Sequence, residues 1–238
     1  MSTSDSEQPR YELLYHPGIP GRGEYIRLAL EAASAPYSDP ANAEPPSRSG
    51  PNGYARVLAA CGAKSTGDAD GNPPAFAPPA LRVPGAGREG RALLLSQTPN
   101  VLAYLGPRLG LAGRDEADGW HVAGLALTAL DISNEAHDTH HPVSAMLYYE
   151  GVCGNGGPVR ARVSSLDVGL LLMLAVHADQ KEESLRKAKD FRDNRIPKFF
   201  GYFERVLSGN EKNGGQGKYL VGDRLTYADT TFWQVLDG

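Results

Sequence analysis

The sequence has little cysteine, a small net charge and no long hydrophobic run. Its 238 residues include two cysteines, Cys61 and Cys153, which cannot build the disulfide framework of a small secreted domain and which fit a reducing compartment. A formal net charge of -4 gives no bias towards nucleic acid or membrane surfaces. No stretch reaches the roughly 20 apolar residues that a membrane span needs. These absences favour a cytoplasmic globular protein.

The chain does have enough apolar sequence for a packed core. Hydrophobic residues make up 41% of it, and its length suits one large domain or two small ones. Residues 1–10, MSTSDSEQPR, are polar, so we expect a mobile tail rather than a secretory signal. Residues 11–112 have a mixed α/β pattern and residues 113–238 a helical one. The sequence therefore predicts two domains, with a boundary near residues 111–115.

The front half is organised around a strand, a loop and a helix in residues 11–31. Residues 11–15 are an apolar run with tyrosines at both ends, which is typical of a buried strand. A loop rich in glycine and proline follows, and an apolar helical face comes after it. This order places the phenol of Tyr15 beside the positive end of a helix, where an anion can be held. The glycine spacing is not that of a dinucleotide-binding loop.

The rest of the front half predicts a long loop with one short helix, then two strands of a β-hairpin. These elements are expected at residues 38–78, 54–61, 80–83 and 91–95. Ser96, Gln97 and Thr98 then open a helix that carries Pro99 early, where the missing N–H costs nothing. A helix N-terminus is also a place where a carboxylate binds well.

The back half predicts helices. They are expected at residues 120–141, at residues 181–207 and from Thr226 onwards. Pro142 should end the first of them, and Pro197 should kink or break the second. Thr226 is followed by Asp229 three residues later, which is the pattern of a capping-box helix start.

A group of histidines near the end of the first long helix raises the question of a metal. The polar side chains there are Glu135, His137, Asp138, His140 and His141. His137 and His141 are i, i+4 neighbours, but no further ligand motif supports them. We therefore predict a polar helix end and no metal site. Cys61 is predicted to be a packed or loop-adjacent thiol.

The order of these motifs resembles that of a cytosolic glutathione transferase of the tyrosine-type (sigma, mu or pi-like) classes. The shared features are a strand ending in tyrosine, a Gly/Pro/Arg loop before a helix, a Pro-x-Leu hairpin, Gln-Thr at a helix start, and YLVGDRLTYAD. The stretches EAHDTHHP and RIPKFFGYFER are similar to a fungal lineage of these classes. The resemblance covers most of the chain. It implies an α/β thioredoxin-like domain that binds glutathione, followed by the all-α glutathione-transferase domain.

The resemblance implies a catalytic role for Tyr15. A thioredoxin-like domain normally carries a Cys-x-x-Cys motif, and this chain has none, so the reactive sulfur should come from a bound thiol. A thiol is a poor nucleophile near neutral pH until its thiolate is stabilised. Tyr15 matches the tyrosine that donates a hydrogen bond to that thiolate, and Tyr11, on the same strand face, is the alternative.

The other implied site residues would bind glutathione. Arg22 matches a position that contacts glutathione in related enzymes, and Gln97 with Thr98 matches the pair that holds its γ-glutamyl end. A solvent-exposed arginine and plain helix capping are the structural alternatives for these positions. Each of the three positions lies at a predicted helix start.

Pro79 matches the cis-proline of the family, which presents the backbone of the preceding residue to the ligand. That preceding residue is Pro78, which has no N–H, so one expected ligand hydrogen bond is absent. Either the register slips to Ala77–Pro78 or binding is weaker.

The implied reaction is conjugation of the glutathione thiolate to a hydrophobic electrophile in a homodimer. Glutathione would be a co-substrate, and no other cofactor, nucleic acid or membrane is expected. Two alternatives remain open. One is a non-catalytic binding or scaffold module, and the other is a glutathione-dependent peroxidase or isomerase on the same site.

Two segments depart from the family pattern. Residues 151–180 interrupt a charged helical region, begin Gly-Val and end in Gln, as a translated retained intron could; a genuine insertion is the alternative. The chain also stops about three turns into the helix that begins at Thr226, so we expect further C-terminal helices to be missing.

Overall fold

The computed structural model describes residues 10–43, 53–62, 65–144, 180–215 and 217–237. By its internal contacts the chain divides into two compact units. One comprises residues up to Leu127 together with residues from Gly209 onwards, and the other is Thr128–Ser208. The predicted tail at 1–10, apart from Arg10, and the predicted insertion at 151–180, apart from Gln180, lie outside the described residues.

The first unit contains a four-stranded mixed sheet with the strand order β2–β1–β3–β4. The strands are β1 (Tyr11–Leu14), β2 (Tyr37–Ser38), β3 (Ala80–Val83) and β4 (Leu93–Ser96). β1 is parallel to β2 and antiparallel to β3, which is antiparallel to β4. Because Leu14 pairs with Ala80, the chain leaves β1 beside the point where it enters β3. The ends of β1 and β4 and the start of β3 therefore share one edge of the sheet.

Helices cover both faces of this sheet. They are α1 (Gly21–Ala32), α2 (Pro40–Ala43), α3 (Gly53–Cys61) and α4 (Thr98–Leu109). Successive residues of β1 point to opposite faces, so Leu13 packs with Ile26 of α1, whereas Leu14 packs with Val57 of α3. Burial of a leucine side chain contributes roughly 1.5–3 kcal/mol. The two cores thus fix the strand end that leads into Tyr15.

The remaining elements are helical. They are α5 (Glu116–His140), α6 (Lys181–Asp190), α7 (Ile196–Asn210) and α8 (Tyr227–Asp237). A π-helical turn at Phe191–Arg195 separates α6 from α7. The predicted break near Pro197 is therefore confirmed, because proline lacks an N–H and its ring crowds the carbonyl four residues earlier. No helix in the described ranges is long and apolar enough to cross a membrane.

Some boundaries differ from the predicted ones. α5 begins at Glu116 rather than at residue 120, because Asp115 Oδ1 accepts the N–H of Asp118 at 2.9 Å and starts the helix early. β4 is shifted towards the C-terminus relative to the predicted strand at 91–95. β2 and α2 were not predicted, since elements of two and four residues are too short to show a periodic pattern.

Side-chain hydrogen bonds hold the second unit together. Arg195 donates to both carboxylate oxygens of Glu135, at 2.7 and 2.5 Å, which ties the turn before α7 to α5. Gln180 is buried, and its Oε1 accepts the backbone N–H of Val143 at 3.1 Å. Phe203 of α7 is 1% exposed and belongs to the largest fully buried side chains.

The start of α5 gives a prediction for acid stability. Hydrogen bonds from the side chain and backbone of Arg114 lower the pKa of Asp118. A carboxyl group whose pKa is lowered by folding stabilises the fold above its unfolded value of about 3.9 and loses that contribution as the pH falls. Asp118→Asn should lower the free energy of unfolding, measured with urea near neutral pH, by about 1 kcal/mol. It should also weaken the decrease of that free energy as the pH falls. Asp131→Asn, an exposed site on the same helix, should change neither.

The start of α8 gives a second prediction. The Asp229 carboxylate accepts the backbone N–H groups of Thr226 at 2.8 Å and Leu220 at 2.7 Å, which confirms the predicted capping-box start. Asp229→Ala would leave both donors without an acceptor and should lower the free energy of unfolding by about 2–3 kcal/mol. Asp237→Ala, exposed at the other end of α8, is the control for urea titration. Equal losses in the two variants would contradict a capping role.

Candidate functional site

The predicted site residues lie around one edge of the sheet in the first unit. Tyr15 follows β1, Pro79 precedes β3, and Gln97 follows β4. Strand direction alternates through these three neighbours, so the end of β1, the start of β3 and the end of β4 meet at one edge. Arg22 lies in the first turn of α1, which begins beside the same edge.

Tyr15 is bonded to the start of α1. Its side chain is buried, and its Oη accepts the backbone N–H of Arg22 at 2.9 Å. The first amides of a helix have no partner within the helix and carry partial positive charge. The phenol oxygen is therefore held at a positive helix end, and its own hydrogen remains available for donation.

Two glycines leave room for the Tyr15 side chain beside the start of α1. A Cβ added to Gly23 would lie 2.5 Å from Cδ1 of Tyr15, and one added to Gly21 would overlap the Tyr15 hydroxyl. Gly21 also has a φ of +41°, in the region that favours glycine. The alternation Gly-Arg-Gly at the start of α1 is thus a steric requirement for seating the Tyr15 ring.

Thr98 is connected to Tyr15 through the backbone of Arg22. Thr98 is 1% exposed, and its Oγ1 donates to the carbonyl oxygen of Arg22 at 3.2 Å. The peptide groups of one residue therefore link the ends of β1 and β4. Thr98 lies inside α4, so it does not occupy the capping position that its sequence context suggested.

Gln97 occupies the capping position of α4 with an unusual backbone. Its φ is 70° and its ψ is 118°, its side chain is exposed, and that side chain makes no capping hydrogen bond. A non-glycine residue at positive φ is costly and persists where the surrounding structure demands it, often at ligand sites. The exposed amide beside the N-terminus of α4 can contact a bound carboxylate.

The peptide bond between Pro78 and Pro79 is cis, so the register does not slip to Ala77–Pro78. Pro78 offers a carbonyl oxygen at the sheet edge but no N–H. The loop that leads to it is anchored by Asn72, whose side chain donates to the Ala92 carbonyl at 2.9 Å and accepts the N–H of Leu94 at 3.0 Å. Asn72 thus holds this loop against the start of β4.

A second set of contacts, not predicted from the sequence, surrounds the loop after Tyr15. Asn42 Oδ1 accepts the N–H of Gly18 at 2.9 Å, and its amide donates to Asp39 at 2.8 Å. Asp39 also accepts from Arg27 at 2.8 Å, and the Arg27 guanidinium carbon lies 5.8 Å from the Tyr15 ring centroid. Burial disfavours this cation, yet the hydrogen bonds that Arg27 donates to Glu24 and Asp39 raise its pKa above the usual range.

His16 is the titratable group that the sequence reasoning missed beside Tyr15. Its Nδ1 lies 3.1 Å from the Oη of Tyr54 on α3. The Tyr15 and His16 ring centroids are 5.2 Å apart in an edge-to-face arrangement. The available signal was a histidine directly after the proposed catalytic tyrosine, but the contact with Tyr54 spans 38 residues and no local pattern shows it.

The other candidates from the sequence do not form a site. Tyr11 is buried in the hydrophobic core at the start of β1, at the opposite end of the strand from Tyr15. His137 and His141 stack with centroids 4.6 Å apart, but no group of three or more metal-ligating side chains was found among the described residues. Burial raises the pKa of the Cys61 thiol, which disfavours its reactive thiolate.

A cavity of about 350 Å³ lies on the α3 side of the sheet, and none of the six predicted site residues lines it. Its charged residues are already paired: Arg56 donates to Glu12 at 2.7 Å, and Arg82 donates to Asp68 at 3.4 Å. Leu14 and Leu94 contribute apolar surface. The ion pairs satisfy the charges of this cavity within the protein.

Comparison with known proteins gives a partial family match. A family model for the glutathione S-transferase C-terminal domain matches residues 170–238. The search of curated protein sequences gives no match.

Solved structures give a match over most of the chain. Prostaglandin synthase D of Nilaparvata lugens has a TM-score of 0.55 at 19% identity, covering 96% of this chain and 80% of that one. The Pi-class glutathione S-transferase of Onchocerca volvulus has a TM-score of 0.55 at 15% identity, with 96% and 76% covered. A glutathione transferase family member from Pseudomonas fluorescens, solved with two glutathione bound, has a TM-score of 0.51 at 16% identity, with 98% and 78% covered.

These likenesses concern the fold. The small mixed sheet with its helices, followed by a helical C-terminal domain, is the fold of glutathione S-transferases. The predicted fold class, a thioredoxin-like domain followed by a helical one, is thereby confirmed.

The glycine contact gives a prediction for the site. Gly23→Ala would push a methyl group into the Tyr15 ring and should lower the free energy of unfolding by about 1–3 kcal/mol while displacing the phenol. Gly124→Ala is the control, because nothing lies within 4 Å of its added Cβ and alanine favours a helix. Thermal unfolding and calorimetric titration with glutathione would measure both effects. If Gly23→Ala changed neither the free energy of unfolding nor glutathione binding, the result would contradict the close contact between Gly23 and the Tyr15 ring.

Proposed function

We propose that this chain is a tyrosine-type glutathione transferase that conjugates glutathione to hydrophobic electrophiles. The observation that carries the proposal is the Tyr15 hydroxyl, bonded at 2.9 Å to the first turn of α1. In line with the resemblance, we place the enzyme in the cytoplasm as a homodimer, with glutathione as co-substrate and no other cofactor.

The chemistry follows from how a thiolate is stabilised. A free thiol has a pKa of about 8.5, so little of it is ionised at neutral pH. The Arg22 amide donates to the Tyr15 oxygen and polarises its O–H, which makes the hydroxyl a stronger donor to a thiolate. The positive end of α1 adds to this stabilisation. The sulfur lone pair then attacks an electrophilic carbon, and the displaced group or the adjacent double bond takes up the electron pair.

Positioning of glutathione would come from the other two strand ends. The first amides of α4 and the exposed Gln97 amide form a place for the γ-glutamyl carboxylate. The carbonyl of Pro78 can accept the N–H of the cysteinyl residue. Thr98 is buried and its hydroxyl donates to the Arg22 carbonyl, so its contribution would be to hold the start of α4 against α1 and thereby position Gln97.

One observation favours a second candidate, a non-catalytic binding module. Pro78 removes a backbone donor that would pair with the cysteinyl carbonyl of glutathione. A site that holds its ligand less firmly can still bind it without aligning the sulfur for attack. The retained hydroxyl of Tyr15, fixed at a helix start, is the argument against this alternative.

Tyr15→Phe separates these candidates. Removal of the hydroxyl should lower kcat/KM for conjugation to a chlorinated aromatic by about 100-fold, because one donor to the developing charge is lost, while glutathione affinity changes little. Tyr104→Phe, on α4, is the matched control and should keep wild-type activity. Calorimetry with glutathione and a conjugation assay provide the two measurements.

Other outcomes would overturn the transferase proposal. Glutathione binding without turnover in the wild type would favour the binding module. Turnover of a peroxide but not of a chlorinated aromatic would indicate a peroxidase. If Tyr15→Phe conjugates glutathione as fast as the wild type, a group other than the Tyr15 hydroxyl must stabilise the thiolate.

A further inference from the structure

His16 is a second polar side chain next to Tyr15, whose hydroxyl defines the proposed thiolate site. It follows Tyr15 directly, and its half-buried ring contacts both Tyr15 and Tyr54. The hydrogen bond at 3.1 Å between His16 Nδ1 and Tyr54 Oη fixes one edge of the imidazole. Nε2 lies on the opposite edge of the ring and makes no hydrogen bond to another described residue.

Formation of a thiolate requires an acceptor for the thiol proton. A tyrosine hydroxyl keeps its own proton near neutral pH, so it donates to the thiolate but does not take its proton. Guanidinium groups such as those of Arg22 and Arg27 have no acceptor atom. The carboxylates of Glu24 and Asp39 are hydrogen-bonded to Arg27. Histidine is the side chain suited to take up a proton in this pH range.

We propose that His16 is the proton acceptor for the glutathione thiol, with Tyr54 as its positioning partner. This inference rests on the proposed function. The S–H bond breaks, its electron pair stays on sulfur, and the proton moves to Nε2 of His16. The proposal assigns the ring proton to Nδ1, which would donate to Tyr54 Oη across the 3.1 Å contact and leave Nε2 as the nitrogen that can accept. The proton passes to water after the conjugate forms.

The surrounding charges fit this assignment. From α1, Arg27 lies over the Tyr15 ring and is neutralised by Glu24 and Asp39. From α3, the polar group in contact is the Tyr54 hydroxyl. The loop of residues 17–20, Pro-Gly-Ile-Pro, carries no charged side chain. The thiolate would then be the negative charge that pairs with an imidazolium on His16, while Tyr15 donates a second hydrogen bond to the sulfur.

The test is the pH dependence of the bound thiol. In His16→Gln, the thiolate ultraviolet absorbance of the glutathione complex should titrate about one pKa unit higher than in the wild type. Conjugation should then fall about 10-fold near pH 6.5 and recover near pH 9.5, where the thiol ionises without a base. Added imidazole should restore part of the activity at the lower pH. His121→Gln, an exposed histidine on α5, is the control and should behave as the wild type.

Tyr54→Phe provides a second test of the role of His16 if His16→Gln does not fold. It retains the imidazole but removes the partner of Nδ1, so a loss of about 3-fold near pH 6.5 with recovery at high pH is expected. An equal loss at both pH values, or no change in the thiol titration, would overturn the inference and leave Tyr15 assigned as before. An absence of glutathione binding in the wild type would instead overturn the proposed function, and the inference with it.

Discussion

The peptide groups of Arg22 are the link on which the candidate site depends. The N–H of Arg22 donates to Tyr15 Oη, and its carbonyl accepts from Thr98 Oγ1. One residue at the start of α1 therefore fixes the phenol that follows β1 and the helix that follows β4. Because the first amides of a helix need outside partners, satisfying this one also stabilises the start of α1. The same hydrogen bond therefore caps the start of α1 and holds the phenol in place.

The steric conditions for this link are strict. Gly21 and Gly23 leave the space that the Tyr15 ring occupies, and side chains at either position would displace it. Arg27 covers the ring from the same helix, and Asp39 with Asn42 connects that arginine to the loop after Tyr15. The position of the Tyr15 phenol thus depends on packing by α1, by the segment that carries Asp39 and Asn42, and by the loop after Tyr15. Pre-organisation of this kind lets a hydrogen bond stabilise a charge without rearrangement during the reaction.

The sequence predicted local features and missed distant ones. Tyr15, the hairpin beginning at Ala80 and the capping residues at the start of α8 follow from patterns within a few residues. The bond between Thr98 and Arg22 spans 76 positions, and the one between His16 and Tyr54 spans 38. Such pairings depend on how strands and helices come together, which no local periodicity encodes. The early start of α5 was also missed, because hydrophobic spacing begins a turn after the cap at Asp115.

Under the proposed function, Pro78 would remove one contact to glutathione without removing the contacts to its sulfur. The cysteinyl backbone of glutathione would be held through the Pro78 carbonyl alone, a contact made equally in the ground state and the transition state. Loss of such uniform binding raises KM and leaves kcat largely unchanged. In the proposed mechanism, the contacts to the developing thiolate would come from Tyr15 and the start of α1, which do not involve Pro78. On this proposal, glutathione binding and thiolate stabilisation would depend on different strands of the sheet.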